Sequence, residues 1–179
     1  LIIEEDGKEI ALSYLYTSDI DDYGIAFVKE EGNGVIDYSG SLFSEGFVYL
    51  TAEHVGPRKR YDYSRWDLSC INKYGSRGEF TVPFLAAKGT QIHVPNKMCD
   101  PKAPSDSLID QVSAWMVNIS PGIRINTEMY PQEQEAKLKI SYNEGKIVSD
   151  DYSPQNVGFG ITYSLPVVVA ILAAKRGDL

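Results

Sequence analysis

Short apolar runs that alternate with polar residues fill the first third of the chain. Isoleucine, valine, tyrosine and phenylalanine dominate these runs, and polar or glycine-containing turns separate them, as in antiparallel strands. The pattern predicts strands at 8–16, 24–29, 34–38 and 46–52, with a tight hairpin turn at Asn33-Gly34. Residues 1–52 are therefore predicted to form an antiparallel β meander.

The hydrophobic pattern breaks down between 53 and 78. This segment contains Pro57, several glycines and the basic group Arg58-Lys59-Arg60, followed by Arg65 and Arg77. We predict an ordered loop with little regular structure. Long connections of this kind are uncommon in compact domains and tend to be functional or mobile, which draws attention to the charged residues.

An amphipathic helix is predicted over 105–118. Its apolar positions recur at the three- and four-residue spacing of one helix face, at Leu108, Val112, Trp115 and Ile119. Ser105 or Ser107 would cap the start of this helix, and Trp115 is expected in the core because it lies on the apolar stripe.

The last third of the chain predicts a second β unit and then a long helix. Strands are predicted at 123–129, 136–142 and 146–149, and an apolar run to Ala174 follows a glycine-rich turn. Pro166 should kink this helix or mark its true first turn. The predicted fold class is α+β, with segments 1–52, 53–122, 123–150 and 151–179.

Composition limits the function classes. The chain has 179 residues, of which 43% are hydrophobic, and a formal net charge of -8, which opposes a broad nucleic-acid footprint but allows a small local patch. Cys70 and Cys99 lack a C-x-x-C spacing, so free thiols in a cytoplasmic protein are expected. No membrane span or secretory leader is predicted, and the sequence, starting at Leu1, is expected to be a piece of a longer protein.

The glycine turn at 156–161 is the strongest candidate site. It comprises Asn156, Val157, Gly158, Phe159, Gly160 and Ile161. A helix start presents free N–H groups and the positive end of the helix dipole, so two close glycines there would let an anion approach the backbone. The competing interpretation is an ordinary tight turn, because a G-x-G pair alone is a weak signal.

Other chemistry is sparse. No G-x-x-x-x-G-K-[ST] phosphate loop occurs, and no metal site is predicted. Glu53-His54 could bind a metal or move a proton, but an ion pair between Glu53 and the nearby Arg58 or Arg60 is the favoured interpretation. The arginines Arg58, Arg60 and Arg77 are candidate contacts for an anion or a partner, since a guanidinium can grip phosphate oxygens with two hydrogen bonds.

Four blocks together resemble the ABC-type P-loop ATPases of the SMC-like, OLD-like AAA group, in the bacterial branch with an uncharacterised conserved domain. In sequence order the blocks are 49–58 (YLTAEHVGPR), 75–80 (GSRGEF), the helix from 111 through Trp115 to 122, and 156–161 (NVGFGI). The resemblance covers most of the chain from Tyr49 to Leu179, and 1–48 match by pattern alone.

The resemblance implies that 157–161 corresponds to the ABC signature loop, which contacts ATP held mainly by a partner subunit. Gly158 stands where the usual signature has serine, so any contact would come from backbone N–H groups. The phosphate loop (Walker A) and the acidic strand end that binds Mg²⁺ (Walker B) would lie outside this chain. The implied function is therefore the central portion of an ATPase that uses ATP and Mg²⁺ and dimerises through nucleotide, with no catalysis and no bound cofactor in this portion alone.

Two other functions stay open at this stage. A β-rich interaction module could dock a protein or nucleic acid on the loop from Arg58 to Arg65. A separate hydrolase could use Glu53 and His54. DNA or an effector protein is an expected partner of the intact protein, and a membrane is not.

Overall fold

The computed structural model describes residues 2–5, 8–19, 22–32, 48–64, 74–144 and 147–175. Strands β1 (Ile2–Glu5), β2 (Lys8–Asp19) and β3 (Asp22–Gly32) form an antiparallel sheet in the order β1-β2-β3. The strands predicted at 8–16 and 24–29 are thus confirmed and extend further in both cases. The turn at Asn33-Gly34 and the strand at 34–38 lie outside the described residues.

The strand predicted at 46–52 is wrong over its described part, 48–52. The Thr51 N–H donates to the carbonyl of Ser76, 2.8 Å away, and no strand ladder forms there among the described residues. Tyr49 is 57% exposed, while Val48 and Leu50 pack against the core. The alternating pattern therefore reflects an extended segment with one face on the core, which a strand and a covered loop share.

A second antiparallel sheet consists of β4 (Tyr61–Asp62), β5 (Ile123–Tyr130), β6 (Glu135–Glu144) and β7 (Ile147–Val148). The strand order is β4-β6-β5, and β7 pairs with the end of β6. The β unit predicted at 123–149 is confirmed. Period-two alternation sorts its faces, because Ile123 and Ile125 are buried and the intervening Arg124 is exposed.

Three helices complete the described architecture: α1 (Thr81–Lys88), α2 (Leu108–Val117) and α3 (Phe159–Ala173). Apolar side chains from all three and from the second sheet form one core cluster, which includes Leu85, Val112, Leu138, Ile140 and Val169. The fold class is α+β, as predicted. Among the described helices, none has the length and hydrophobicity that a membrane crossing needs.

Helix α2 was predicted in the right place but rotated. Its fully buried apolar side chains are Leu108, Val112 and Met116, at a spacing of four, whereas Trp115 is 41% exposed. The prediction of Trp115 as a core residue is wrong: its indole N–H donates to the carbonyl of Met98, 2.9 Å away, at the edge of the helix. Ser107, rather than Ser105, is the N-cap and accepts the Asp110 N–H at 3.5 Å.

Helix α3 begins where the glycine turn predicts. Gly158 is its N-cap residue, and Pro166 lies inside the helix rather than in its first turn. Because proline has no N–H, the carbonyl of Thr162 lacks its usual helical donor at this point. The ring of Pro166 packs against Gly78, which gives the proline a tertiary contact.

Candidate functional site

The glycine turn is an open junction at the start of α3. Asn156 ends a short 3₁₀ turn, Val157 is extended, and Gly158, Phe159 and Gly160 are exposed. No side chain of the described residues caps this helix, so the N–H groups of Phe159 and Gly160 point out of its end. Ile161 is the first buried side chain, 5% exposed, and it anchors the turn to the core.

The two glycines of this turn have no visible structural reason within the described chain. A Cβ added to Gly158 or Gly160 would meet nothing within 4 Å, and Gly158 has an ordinary φ of -60°. Gly75 and Gly78 differ, because their φ angles are +73° and +74° and a Cβ on either would strike a neighbouring side chain. Glycine is therefore structurally required at 75 and 78, and Gly160 carries the usual cost of glycine inside a helix.

Two segments that are distant in sequence, 53–56 and 77–79, run side by side next to this turn. The N–H of Val55 donates to the carbonyl of Arg77 at 2.8 Å, and the Arg77 Nε donates to the carbonyl of Glu53 at 3.3 Å. The N–H of Arg77 in turn donates to the Glu79 carboxylate at 2.8 Å. These bonds fix both the backbone and the first part of the Arg77 side chain.

Both segments also touch α3. His54 Nδ1 lies 2.7 Å from the carbonyl oxygen of Tyr163, and the two rings are 5.9 Å apart. A Cβ on Gly56 would lie 4.0 Å from the ring of Phe159, which is a residue of the glycine turn itself. Three of the four blocks that carry the family resemblance therefore meet around the N-terminal half of α3.

The candidate arginines have different environments. Arg60 donates to both carboxylate oxygens of Glu135 at 3.0 Å, and this hydrogen bond raises the pKa of its guanidinium. Arg58 is exposed and, within the described residues, no carboxylate pairs with it. Arg77 is exposed as a residue, and its Nε is bonded to the 51–55 segment through the carbonyl of Glu53.

The ion pair expected between Glu53 and Arg58 or Arg60 is wrong. Arg60 pairs with Glu135 and Glu133 across the second sheet, because the short strand β4 carries it to the start of β6. Glu53 contributes its backbone carbonyl to Arg77 instead. His54 Nδ1 is hydrogen-bonded to the carbonyl oxygen of Tyr163, so it does not pair with Glu53 through that nitrogen.

The described residues contain no cluster of three or more His, Cys, Asp or Glu side chains that could hold a metal ion. Cys99 is a free thiol whose Sγ donates to the carbonyl of Val94 at 3.4 Å. Cys70 lies outside the described residues. The local chemistry is thus that of backbone donors, arginine and one histidine.

The sequence located the glycine turn and Arg77 but gave no signal for the contacts that bring their neighbouring segments together. His54 and Tyr163 are 109 positions apart, and neither is part of a motif that predicts contact with the other. The sequence positions of Gly78 and Pro166 likewise do not predict that these residues are in contact. Comparison of the chain with protein-family models, curated proteins and solved structures gives no match.

Proposed function

We propose that this chain is the central portion of an ABC-type, SMC-like ATPase, and that its glycine turn contacts ATP bound by a second copy of the protein. One observation carries the proposal: Gly158 and Gly160 leave open space at a helix start, and the described chain makes no use of that space. A bare backbone at a helix N-terminus suits a phosphate that arrives from outside.

Residues around the turn fit a nucleotide phosphate. The N–H groups of Phe159 and Gly160 are donors aimed outward, and the α3 dipole adds positive potential at the same end. Arg77 supplies a guanidinium whose Nε is bonded to the carbonyl of Glu53, while bonds with Val55 and Glu79 fix the Arg77 backbone. Its terminal nitrogens make no hydrogen bond to the described residues and suit the bidentate contact that phosphate oxygens accept.

In this proposal the chain contributes half of a site. The glycine turn contacts ATP and Mg²⁺ that other parts of the partner subunit hold, so binding of nucleotide is linked to dimerisation. Hydrolysis would remove the phosphate that the turn contacts and thereby separate the subunits. In this proposal the chain alone does not catalyse hydrolysis. The proposal also takes the α+β architecture as part of an ABC-type ATPase fold.

The test uses the intact ATPase to which the proposal assigns this sequence. Its mass is measured by light scattering without nucleotide, with ADP, and with ATP under conditions that prevent hydrolysis. We expect a dimer with ATP and a monomer in the other two states. A mass that does not respond to ATP would overturn the proposal, as would ATP hydrolysis by the 179-residue chain alone.

An interaction module is the second candidate, and the exposed Arg58 guanidinium favours it. Arg60 is its natural control, because that side chain is already bound to Glu135. If the 58–65 loop docks an acidic partner, Arg58→Glu should abolish partner binding and leave ATP-dependent dimerisation intact. Loss of dimerisation with partner binding preserved would reject the docking role.

A further inference from the structure

Among the described residues, the side chain of His54 makes a hydrogen bond that joins the segment 53–55, which is bonded to Arg77, to α3. A carbonyl oxygen can only accept, so the contact to Tyr163 requires that Nδ1 carries the hydrogen. The imidazole is therefore the donor of this bond and the helix carbonyl is its acceptor.

The two residues that flank His54 in the sequence are both hydrogen-bonded to Arg77. Glu53, on one side, accepts from the Arg77 side chain, and Val55, on the other, donates to the Arg77 carbonyl. The backbone of His54 is thus held on both sides by Arg77. His54 thus connects Arg77 to α3 through these two backbone contacts and its own bond to Tyr163.

At the start of α3 the buried Ile161 and Thr162 face the core, whereas the residues before them make little contact. Phe159 is 67% exposed, and Gly158 and Gly160 have no side chain with which to pack. Tyr163 lies one turn further on, where its ring contacts both Phe159 and His54 at centroid distances of 6.4 and 5.9 Å. The bond to Tyr163 therefore adds a polar anchor to the apolar packing of Ile161 in the part of α3 that follows the glycine turn.

We propose that His54 is a positioning residue: through its Nδ1–H bond to Tyr163 it holds the glycine turn and the Arg77 guanidinium in one fixed arrangement for the incoming phosphate. This inference rests on the proposed function and adds a residue that acts through others rather than on the ligand. The donor alone matters, so a side chain with a donor in the same place should replace the imidazole.

Three substitutions test the donor. Asparagine places an amide nitrogen near the position of Nδ1, glutamine places one near Nε2, and alanine places none. In the 179-residue chain, amide hydrogen exchange in the first two turns of α3 should quicken about threefold to tenfold in His54→Ala and His54→Gln, the effect of losing one net hydrogen bond. His54→Asn should exchange like the wild type.

The same variants in the intact ATPase should give the same order in ATP-dependent dimerisation, with His54→Asn close to wild type and the other two weakened. His93→Ala is the matched control, because the other histidine bonds Asp106 at 3.0 Å near the start of α2 and should change neither readout. Equal behaviour of the asparagine and glutamine variants, or unchanged exchange in His54→Ala, would overturn the positioning role. Absence of ATP-dependent dimerisation in the wild type would instead overturn the proposed function, while the exchange result still decides the anchor.

Discussion

Gly78 lies directly against the ring of Pro166, and a Cβ at this position would be 2.6 Å from Pro166 Cγ. The contact joins the loop that carries Arg77 to the middle of α3, one turn beyond the carbonyl that His54 binds. It also explains two sequence features at once, a glycine with a φ of +74° and a proline inside a helix. In addition to the core packing of α3, this steric fit and the His54 hydrogen bond hold the helix next to the segments around Arg77.

This fit predicts that Gly78→Ala destabilises the chain by about 2 kcal/mol, since the new Cβ adds left-handed backbone strain to a clash. Chemical denaturation followed by far-UV circular dichroism measures the change. Gly160→Ala is the matched control and should stabilise by up to about 1 kcal/mol, because it replaces an exposed helical glycine. Equal effects at the two positions would show that Gly78 is not sterically constrained.

The hydroxyl of Thr81 predicts a second stability effect. Thr81 is 1% exposed, and its Oγ1 has no hydrogen-bond partner among the described residues. Thr81→Val removes that buried polar atom with little change in shape and should stabilise by about 1 kcal/mol. Thr162→Val should do the reverse, because the Thr162 hydroxyl donates to the carbonyl of Phe159 at 3.0 Å. Thermal unfolding of both variants checks the opposite signs.

An ion-pair network on the second sheet predicts the pH dependence of stability. Glu128 accepts from Lys139 Nζ at 2.6 Å and from the Tyr130 hydroxyl at 2.7 Å. The bond from Lys139, followed by the one from Tyr130, lowers the pKa of Glu128 below its ordinary 4.5, and the carboxylate raises the pKa of Tyr130 above 10.0.

The two shifts act at opposite ends of the pH range. The contribution of Glu128 is present above pH 4.5 and is lost as the pH falls through its lowered pKa. That of Tyr130 is present below pH 10.0 and is lost as the pH rises through its raised pKa. The thermal midpoint of Glu128→Gln should therefore lie below that of the wild type between these limits and approach it outside them. In a Lys139→Met background the difference at neutral pH should shrink, and a constant difference would contradict the network.

The sequence predicted those elements whose signal is local. Strands β2 and β3, the β5-β6-β7 unit and the start of α3 follow from alternation, turns and one glycine junction. Helix α1 was missed because Thr81, Val82 and Pro83 resemble a strand or a break, although proline is tolerated in the first turn of a helix. Trp115 was misplaced because its polar indole edge lets it sit at the rim of the core while a neighbouring methionine fills the interior.

The site was predicted in its parts and not in its arrangement. The glycine turn could be identified because glycine residues, which lack side chains, can be recognised directly in the sequence. The meeting of His54 with Tyr163 and of Gly78 with Pro166 depends on how the second sheet and α1 bring distant segments together, and no local pattern encodes it. Arg60 shows the same limit, since its partner Glu135 is 75 positions away.

The central claim is that the glycine turn is kept bare for a phosphate held by a second subunit, and Gly160→Glu tests it most directly. Gly160 is the second residue of α3 and its surroundings are open, so glutamate should stabilise the chain by about 1 kcal/mol through helix propensity and the dipole. In the intact ATPase the same carboxylate would repel the phosphate, and Gly160→Gln supplies an uncharged control of equal size. We predict a more stable Gly160→Glu chain together with loss of the ATP-dependent dimer in light scattering, whereas a dimer as strong as that of the wild type would contradict the account.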